Sequence, residues 1–393
     1  MRNWAKELLI ISLVIGLGSL GFVVGCGQST DTSTTTTTIP SLSISGTVNF
    51  ATTSDGIKGG VDVSVTASPT VIATASADAN TGTYEVSGLS PGTYTLIASK
   101  DGWSIPNMLV TVESAGLTDR NFTANPTNWD VSFISGNPDL NKVASEEISG
   151  NNIVIIGKGA GASYYQSTDG GGTWNSGQAT TDADSMLDVF LPAPDSIYFF
   201  CGSGLVRESS DNGSSWGAIG YITVEAPSIY TKDFASTGNP TSENVGTNGK
   251  LYHADDGFTF TEAGDNVTGF NAVAAWVYSG SIYRVAVGDS GKLRYYDGSN
   301  WNIKDYSGAV NFQDVHEGES WAAGERYVTV AGCSAADSQG VIFGMWPSTS
   351  SGNIILQGVP YSLNGIWSPS TAIDTSHAGV IVVGDNGLIL IGK

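Results

Sequence analysis

Short apolar segments recur six times across the C-terminal two-thirds of the chain, and a β-rich run follows each of them. The residues that close these segments lie 46, 45, 39, 42 and 51 positions apart. Spacings of this size are typical of β-propellers, in which each repeat supplies one four-stranded blade. The pattern therefore predicts six blades. The closing residues, called anchors below, are Val143, Val189, Phe234, Val273, Val315 and Ile366.

A glycine-centred turn ends the β-rich run in three of the repeats. Segments 245–251, 287–293 and 383–389 each place Asn-Gly or Ser-Gly between apolar residues. These residue pairs accept the positive φ angles that a tight primed turn requires. We therefore expect the second and third strands of a blade to form a hairpin.

A polar loop of the form Ser-x-Asp-x-Gly-x-x-Trp follows the third predicted strand in the first two repeats, and a weaker copy follows in the third. The motif resembles the Asp-box, or BNR repeat, and with the Val-Gly-Asp-x-Gly turn it is most similar to propellers of the photosystem II assembly-factor type. Its polar side chains bond nearby amides and its aromatic ring fills the space between blades, so we expect a structural role. The motif residues are Ser167, Asp169, Gly171, Trp174, Ser209, Asp211, Gly213 and Trp216, with Asp255 and Gly257 in the weaker copy.

The two ends of the repeat region complement each other. The chain stops after the third strand of the sixth repeat, and residues 128–134, before the first anchor, resemble the outer strands of later repeats. Pairing of the two ends would supply the missing fourth strand and remove open sheet edges. The predicted fold is all-β: a small β-sandwich followed by a six-bladed β-propeller over residues 128–393, closed by an N-terminal strand.

The N-terminus combines a short basic start with an apolar stretch from Leu8 to Val24, followed by Gly-Cys. It resembles the lipobox of bacterial lipoproteins, which implies a signal peptide over residues 1–25 and a lipid on Cys26. A cleaved signal without lipid and an uncleaved transmembrane anchor are the alternatives. The residue after the cysteine is Gly27 and not Asp. In Gram-negative lipoproteins this pattern resembles the signal for export to the outer membrane. Residues 26–41 are then a Ser/Thr-rich tether.

Residues 42–124 form a separate predicted unit with period-two alternation between turn residues. This pattern is typical of the half-buried strands of a small sandwich. Segments 88–94 and 100–103 resemble the carboxypeptidase regulatory-like, transthyretin-like domain. The resemblance implies a non-catalytic spacer or adhesive module.

Composition and charge agree with a turn-rich protein outside the cell. The 393 residues include 51 Gly and 13% charged residues, as many tight turns between short strands require. Without residues 1–25 the chain has 14 basic and 36 acidic side chains, a net charge of −22. Because this charge repels phosphate backbones, it argues against nucleic acid as a partner. Cations or basic proteins match this negative charge better as partners. We expect the protein to be a monomer.

The titratable residues give no catalytic, cofactor or metal signature. The three histidines are too scattered for a zinc site. Sialidases share the Asp-box but clamp their substrate with three arginines, and two of the four propeller arginines, Arg207 and Arg294, occupy equivalent third-strand positions away from such a site. The other two are Arg284 and Arg326.

Paired carboxylates are also the groups that an ordinary glycosidase or a calcium site uses, and several aspartates are candidates. Three of the aspartates recur at the position before an anchor, which favours a structural role. Two others share one loop, for which solvation is the simpler interpretation. The recurring residues are Asp188, Asp233 and Asp314, and the loop residues are Asp182 and Asp184.

Cys201 and Cys333 fall in the second and fifth predicted blades, which face each other across the ring. Two strand spacings on each side of a channel separate them by roughly 20 Å. A disulfide requires Cα atoms within about 7 Å. We therefore expect two buried, unpaired thiols.

The function expected from these features is a lipid-anchored, exported binding or assembly platform for an envelope or extracellular protein or a glycan, without enzymatic activity. The loops from each outer strand to the next anchor differ between repeats, and we expect binding specificity there. The candidate binding residues are Asp184, Tyr230 and Tyr361. The alternatives are a secreted glycoside hydrolase of the Asp-box type and a surface adhesin whose sandwich also binds.

Overall fold

The computed structural model describes most of the chain from residue 41 onward, as β-strands joined by tight turns and two short 3-10 turns. The residues described are 41–51, 61–67, 70–78, 81–100, 102–146, 151–158, 163–179, 185–193, 195–221, 228–232, 241–245, 250–254, 261–262, 269–278, 281–306, 309–322, 325–347, 351–369 and 378–393. The predicted all-β class is confirmed. The signal, Cys26 and tether predictions lie outside the described residues.

Two four-stranded sheets form the N-terminal sandwich. Buried and exposed residues alternate along the strands, as Tyr84 and Val86 show, so each sheet buries one face. The inner faces meet in a core that contains Ile44, Phe50 and Leu96. The first sheet has the order β4-β1-β8-β6, with β1 Leu42–Phe50, β4 Thr83–Leu89, β6 Trp103–Ser104 and β8 Phe122–Pro126. The second has the order β3-β2-β5-β7, with β2 Asp62–Ala67, β3 Thr70–Ser76, β5 Gly92–Ser99 and β7 Met108–Val112.

Six further antiparallel sheets form the blades of a propeller. Blade 1 has β10 Leu140–Ser145, β11 Ile153–Gly157, β12 Ser163–Ser167 and β13 Asn175–Gln178, and blade 2 has β14 Met186–Ala193, β15 Ser196–Cys201, β16 Leu205–Ser209 and β17 Gly217–Tyr221. Blade 3 has β18 Ser228–Lys232, β19 Thr241–Val245, β20 Leu251–Ala254 and β21 Thr261–Glu262, and blade 4 has β22 Phe270–Tyr278, β23 Ser281–Gly288, β24 Leu293–Tyr296 and β25 Trp301–Ile303. Blade 5 has β26 Val310–Ala322, β27 Glu325–Ser334, β28 Gly340–Trp346 and β29 Ser351–Val359.

Both ends of the propeller region build the sixth blade. Its strands are β30 Leu363–Trp367, β31 Ile381–Gly384, β32 Leu388–Gly392 and, from the N-terminal side, β9 Trp129–Phe133. β9 pairs antiparallel with β32 from Phe133 opposite Leu388 to Trp129 opposite Gly392. The first strands of successive blades contact one another, and those of blades 6 and 1 close the circle. The predicted six-bladed propeller closed by an N-terminal strand is therefore confirmed.

The hairpin turns of blades 4 and 6 have the predicted primed geometry. Ser290 and Gly291 have φ angles of 59° and 72°, and Asn386 and Gly387 have φ angles of 58° and 74°. The turn at 246–249 lies outside the described residues. The glycine before each turn has a second role that the sequence did not reveal. A Cβ atom at Gly288 would collide with a backbone carbonyl oxygen, because the neighbouring chain approaches so closely there.

The sandwich packs directly against blades 5 and 6, although the sequence predicted a separate unit. Trp103 Nε1 donates a hydrogen bond of 3.0 Å to the carbonyl oxygen of Gln357 in β29. One continuous apolar core includes Phe50 of the sandwich and Leu390 of blade 6. The two bonded residues are 254 positions apart, so no local pattern could indicate this contact.

Lys100 lies in the same interface. Its Nζ atom stands 5.3 Å from the centre of the Phe50 ring, and Gly358 of β29 leaves room for its side chain. Burial lowers the pKa of Lys100, and the nearby Asp337 carboxylate acts in the opposite direction. The aromatic face and the carboxylate therefore offset only part of the desolvation of this cation.

The two described cysteines lie in blades 2 and 5 and are not joined by a disulfide, as predicted. Cys201 in β15 is buried, but the prediction that Cys333 is also buried was wrong, because it is half-exposed. Cys333 lies in β27 and pairs with Gly340 of β28.

Removing either partner of the closing pair should open the ring. We expect deletion of residues 128–136, or truncation after Gly379, to abolish the cooperative thermal unfolding transition of the propeller, because either change exposes an edge of blade 6. Circular dichroism and calorimetry would measure the transition, with deletion of residues 28–40 as the control. A truncated chain that kept the transition of the full chain would show that the β9–β32 pairing does not hold the ring.

Candidate functional site

The first Asp-box is a closed network of hydrogen bonds within one turn. Ser167 Oγ donates to Asp169 Oδ1 at 2.7 Å and accepts from the Gly171 amide at 2.8 Å. Asp169 also accepts from the Thr173 amide at 2.8 Å and the Thr173 hydroxyl at 2.7 Å. Gly171 has a φ angle of 93°, which favours glycine.

The second box repeats this network, which identifies it as a property of the motif. Ser209 Oγ donates to Asp211 Oδ1 at 2.8 Å, and Asp211 accepts from the Ser215 amide at 2.8 Å. Gly213 has a φ angle of 86° and donates its amide to Ser209 Oγ. The residues of the weaker third copy, Asp255 and Gly257, lie outside the described residues.

The box tryptophans fill the spaces between blades. Trp216 stacks on Phe199 of its own blade with ring centres 4.6 Å apart, and its edge meets Tyr164 of blade 1 at 5.6 Å. Trp174 packs against the same apolar core that Ile391 of blade 6 joins. The aromatic residues therefore bridge neighbouring blades.

Hydrogen bonds shift the titration of both box carboxylates. The Thr173 amide and the hydroxyls of Ser167 and Thr173 lower the pKa of Asp169 from its ordinary value of 3.8 to about 2. The Ser215 hydroxyl and amide, with Ser209, lower the pKa of Asp211. Both shifts arise because the donors bind the charged form.

A buried ion pair spans the closing blade at the position before the anchor. Lys142 Nζ of blade 1 bonds to Asp314 Oδ1 of blade 5, and both side chains are almost wholly buried. The amide of Ile366, the blade 6 anchor, donates to Asp314 Oδ2 at 2.9 Å. The two blades that flank blade 6 are thus joined across its inner strand.

Gly365, which precedes Ile366 on the inner strand of blade 6, leaves room for the Lys142–Asp314 contact. A Cβ atom there would lie 2.7 Å from the carbonyl oxygen of Asn141 and 2.8 Å from Lys142 Cα, distances too short for a side chain. Asp188, at the matching position of blade 2, is buried and accepts the Val189 amide at 2.8 Å. Asp233, the third of these aspartates, lies outside the described residues.

Asparagines two positions before the anchor form links between blades that the sequence did not reveal. Asn271 donates to the Phe312 carbonyl of blade 5 at 2.9 Å and to Asp289 of its own hairpin turn at 2.8 Å. Asn364 repeats this in blade 6 at 2.8 Å, with the Leu140 carbonyl of blade 1 and Asp385. Asn141 donates a longer bond of 3.4 Å into blade 2. The recurrence of Asn at one repeat position was the available signal.

Three of the four propeller arginines make contacts within their own blades. Arg284 lies over the Tyr296 ring at 4.8 Å, and Arg326 donates to Glu317 at 3.1 Å. Arg294 pairs with Asp305 in blade 4. Arg207 and Arg294 occupy equivalent positions on the third strands of blades 2 and 4, as expected from the sequence. Each of them pairs with the second-strand residue that also pairs with the anchor of its blade.

The three candidate binding residues have different surroundings. Tyr361 lies between β29 and β30 and is half-buried against the core that the propeller shares with the sandwich. The placement of Tyr230 in a loop was wrong: it lies in β18, opposite Glu243, because the alternating segment Ser228–Lys232 extends the inner strand. Asp184 and Asp182 lie outside the described residues.

The described part of the chain contains neither a cluster of metal-ligating side chains nor a helix suited to span a membrane. Within it, no three His, Cys, Asp or Glu side chains converge as metal ligands. Within the same residues, no helix is both long and apolar enough to cross a membrane.

Comparisons with known proteins concern the two parts of the chain separately. Residues 41–124 match the family model described as BOS complex subunit NOMO1-like, second beta sandwich domain. The comparison with curated proteins gave no match.

Solved structures similar to the chain include YCF48 bound to a D1 peptide, with 12% identity, a TM-score of 0.44, and coverage of 68% of this chain and 98% of that chain. YCF48 from Cyanidioschyzon merolae has 12% identity and a TM-score of 0.43, covering 67% of this chain and 98% of that one. The mitotic checkpoint complex gives 11% identity and a TM-score of 0.45, covering 67% and 94%. These similarities are too distant to carry an argument about function.

The buried ion pair generates a pH-dependent prediction. Burial raises the pKa of Asp314. When folding raises the pKa of a carboxyl, the protein loses stability as the pH rises through that pKa. Lys142→Met removes the counter-ion, so we expect a loss of about 3–5 kcal/mol in unfolding free energy near neutral pH. The loss should become smaller as the pH is lowered, because the uncompensated Asp314 carboxylate then takes up a proton.

Denaturant titrations at several pH values would measure this loss. The matched control is Lys142→Met with Asp314→Asn, which keeps an acceptor for the Ile366 amide without a buried charge, so it should recover stability and lose the pH dependence. An unfolding free energy of Lys142→Met that differed from wild type equally at all pH values would contradict this assignment.

The box carboxylates should show the opposite pH dependence. Because its pKa is lowered in the folded state, Asp169 stabilises the protein above its ordinary value of 3.8, and the contribution is lost as pH falls through about 2. We therefore expect Asp169→Ala to lower the melting temperature at neutral pH and the difference from wild type to shrink over this acidic range. Thermal scans would test this, with the exposed Glu113→Ala as the control. A difference that persisted undiminished at the lowest pH would rule out the carboxylate network as its cause.

Proposed function

We propose that this chain is an exported, lipid-anchored envelope protein whose propeller is a non-enzymatic platform that binds or assembles another protein or a glycan. The observation that supports this most is the use of the repeated polar side chains. In the two described boxes, the asparagine links and the Lys142–Asp314 pair, these groups bond to the protein's own backbone or to each other. Side chains common to several blades therefore hold the ring, and a partner has to be recognised by residues that differ from blade to blade.

One face of the ring is well suited to hold such variable residues. The hairpin turn of blade 6 donates the Asn386 amide to Asp139 in the loop that leads into blade 1, at 3.1 Å. In blade 4, the Ser290 amide donates to Asn311 at the start of blade 5, at 3.0 Å. Each turn is thus fixed to the next blade. Turns that are held in this way lose little conformational freedom if they contact a partner.

The anchoring part of the proposal rests on the sequence of residues 1–41. The signal peptide, Cys26 as the lipid carrier and the polar tether together place the folded part outside the cytoplasm on a membrane, the outer membrane if the organism is Gram-negative. We expect Cys26→Ala to lose incorporation of a labelled fatty acid and stable membrane association, because one signal directs both steps. Metabolic labelling followed by membrane fractionation measures this, with Cys201→Ala as the control. Label that persisted in Cys26→Ala would contradict lipid attachment at this residue.

Partner capture tests the platform. The purified lipid-free chain would be immobilised and exposed to envelope extract, and bound proteins identified by mass spectrometry. We expect Asp184→Ala combined with Tyr230→Ala to weaken capture of a reproducible partner while the melting temperature hardly changes. Tyr361 is left unchanged because it packs against the core.

The matched control is Asp169→Ala, measured below its melting temperature, which should retain capture because the box serves the fold. Full capture by the double variant, or loss of capture in the folded box variant, would contradict the platform as described. Turnover of an added glycan by the purified wild-type chain would instead support a glycoside hydrolase.

A further inference from the structure

One face of the sandwich combines exposed aliphatic side chains with an almost complete lack of charge. It belongs to the sheet β3-β2-β5-β7, and we refer to it as the neutral face. Its central row runs across all four strands through Val71, Thr66, Thr95 and Leu109, which are paired in that order. Val71 is 55% exposed and Leu109 is 73% exposed, so both edges of the row project apolar surface into solvent.

The polar groups of the neutral face are largely used within the sheet. Thr66 Oγ1 donates to the Thr95 carbonyl at 3.2 Å, and Ser64 Oγ donates to the Ile97 carbonyl at 3.4 Å. The hydroxyls of two further threonines on β5 and β7 bond to each other at 3.2 Å. The surface is therefore more apolar than its Thr and Ser content alone indicates.

The lack of charge contrasts with the rest of the chain. The four strands contain a single charged residue, Asp62, which lies at the start of β2 and accepts the Ser76 hydroxyl at 2.8 Å. The whole chain has a formal net charge of −21. Among the described residues, three of the seven large hydrophobic side chains that are exposed lie on β3 and β7, namely Val71, Ile72 and Leu109. Apolar exposure and neutrality thus coincide on one small surface, which is the kind of patch that marks an interaction site.

The N-terminal chain limits which surface can cover this patch. The sandwich begins at Leu42, and in the proposed function the lipid is on Cys26. Sixteen residue steps separate these two positions, so the distance between them is at most about 55 Å even for a fully extended chain. The sandwich is thus held close to the bilayer, where a high effective concentration populates even a weak contact.

We propose that the neutral face rests on the surface of the lipid bilayer, with Ile72 and Leu109 entering the interface. This inference rests on the lipid anchor of the proposed function. A neutral surface is the one with which an acidic protein approaches a membrane at least electrostatic cost. The contact would fix the orientation of the propeller, because the sandwich is packed against blades 5 and 6.

Two other occupants fit the neutral face less well. The face consists of four strands that are about 4.8 Å apart and some six residues long, so a second copy would bury about 800 Å² in total. Stable interfaces bury at least about 1,200 Å². Two copies also repel each other through their net charge. A glycan usually stacks on aromatic rings, and the single aromatic residue of these strands, Tyr94, is buried.

Vesicle flotation of the mature chain tests the proposal without the lipid. The protein used is residues 26–393 with Cys26→Ser, mixed with phosphatidylcholine vesicles. We expect a vesicle-bound fraction that Leu109→Asp or Ile72→Asp reduces roughly tenfold, as the loss of a buried aliphatic side chain implies. The matched control is Ile303→Asp, which alters an equally exposed aliphatic residue, 71% exposed, on the outer strand of blade 4 and should leave binding unchanged. Anionic lipid added to the vesicles should weaken binding through charge repulsion.

Equal thermal transitions in all variants would confirm that each is folded. The proposal is overturned if wild type does not float with vesicles, or if the face variants bind as well as the Ile303 variant. Sedimentation without vesicles that shows a dimer dependent on Leu109 would overturn it in favour of a second copy. Failure of the anchor is a separate result, seen as unchanged fatty-acid labelling in Cys26→Ala, and leaves flotation by the neutral face measurable.

Discussion

The pairing of β9 with β32 is the contact on which the rest of the propeller depends. A ring of sheets retains open edges until its last blade is complete, and here that blade needs strands from both ends of the region. The buried Lys142–Asp314 pair reinforces the same blade by joining its two neighbours across Gly365. Two charges removed from water are tolerated there because each has the other, and because the Ile366 amide satisfies a second carboxylate oxygen.

The position of the sandwich follows from this closure. β8 ends at Pro126 and β9 begins at Trp129, so the link between them is very short. The Thr127 amide bonds to the Gly102 carbonyl at 2.9 Å, which fixes the link to the sandwich. A sandwich attached so closely to the closing strand necessarily lies beside blades 5 and 6. Its apolar core therefore continues into theirs, and the two parts form one structural unit.

The sequence predicted those features that repeat or that depend on neighbouring residues. The anchors, primed turns and box motifs are local signals, and strand exchange followed from counting strands in the repeats. Contacts between distant residues left no such signal: Lys142 and Asp314 are 172 positions apart, and nothing in the sequence around either residue identifies the other as its partner. The Asn271 and Asn364 links did recur in the sequence, but an amide has no obvious chemistry until the carbonyl it reaches is known. The partial exposure of Cys333 was not predicted either, because the repeat pattern gives the blade of a residue but not the packing around its side chain.

The composite blade also constrains the order in which the protein can form. Phe133 is synthesised early, but its partner Leu388 follows 255 residues later, the difference between the two positions. Until β32 is available, β9 has no partner and the ring cannot close. Contacts of such long sequence separation are slow to form. Ring closure is therefore a late event in folding, because it waits for the pairing of two strands that lie far apart in the chain.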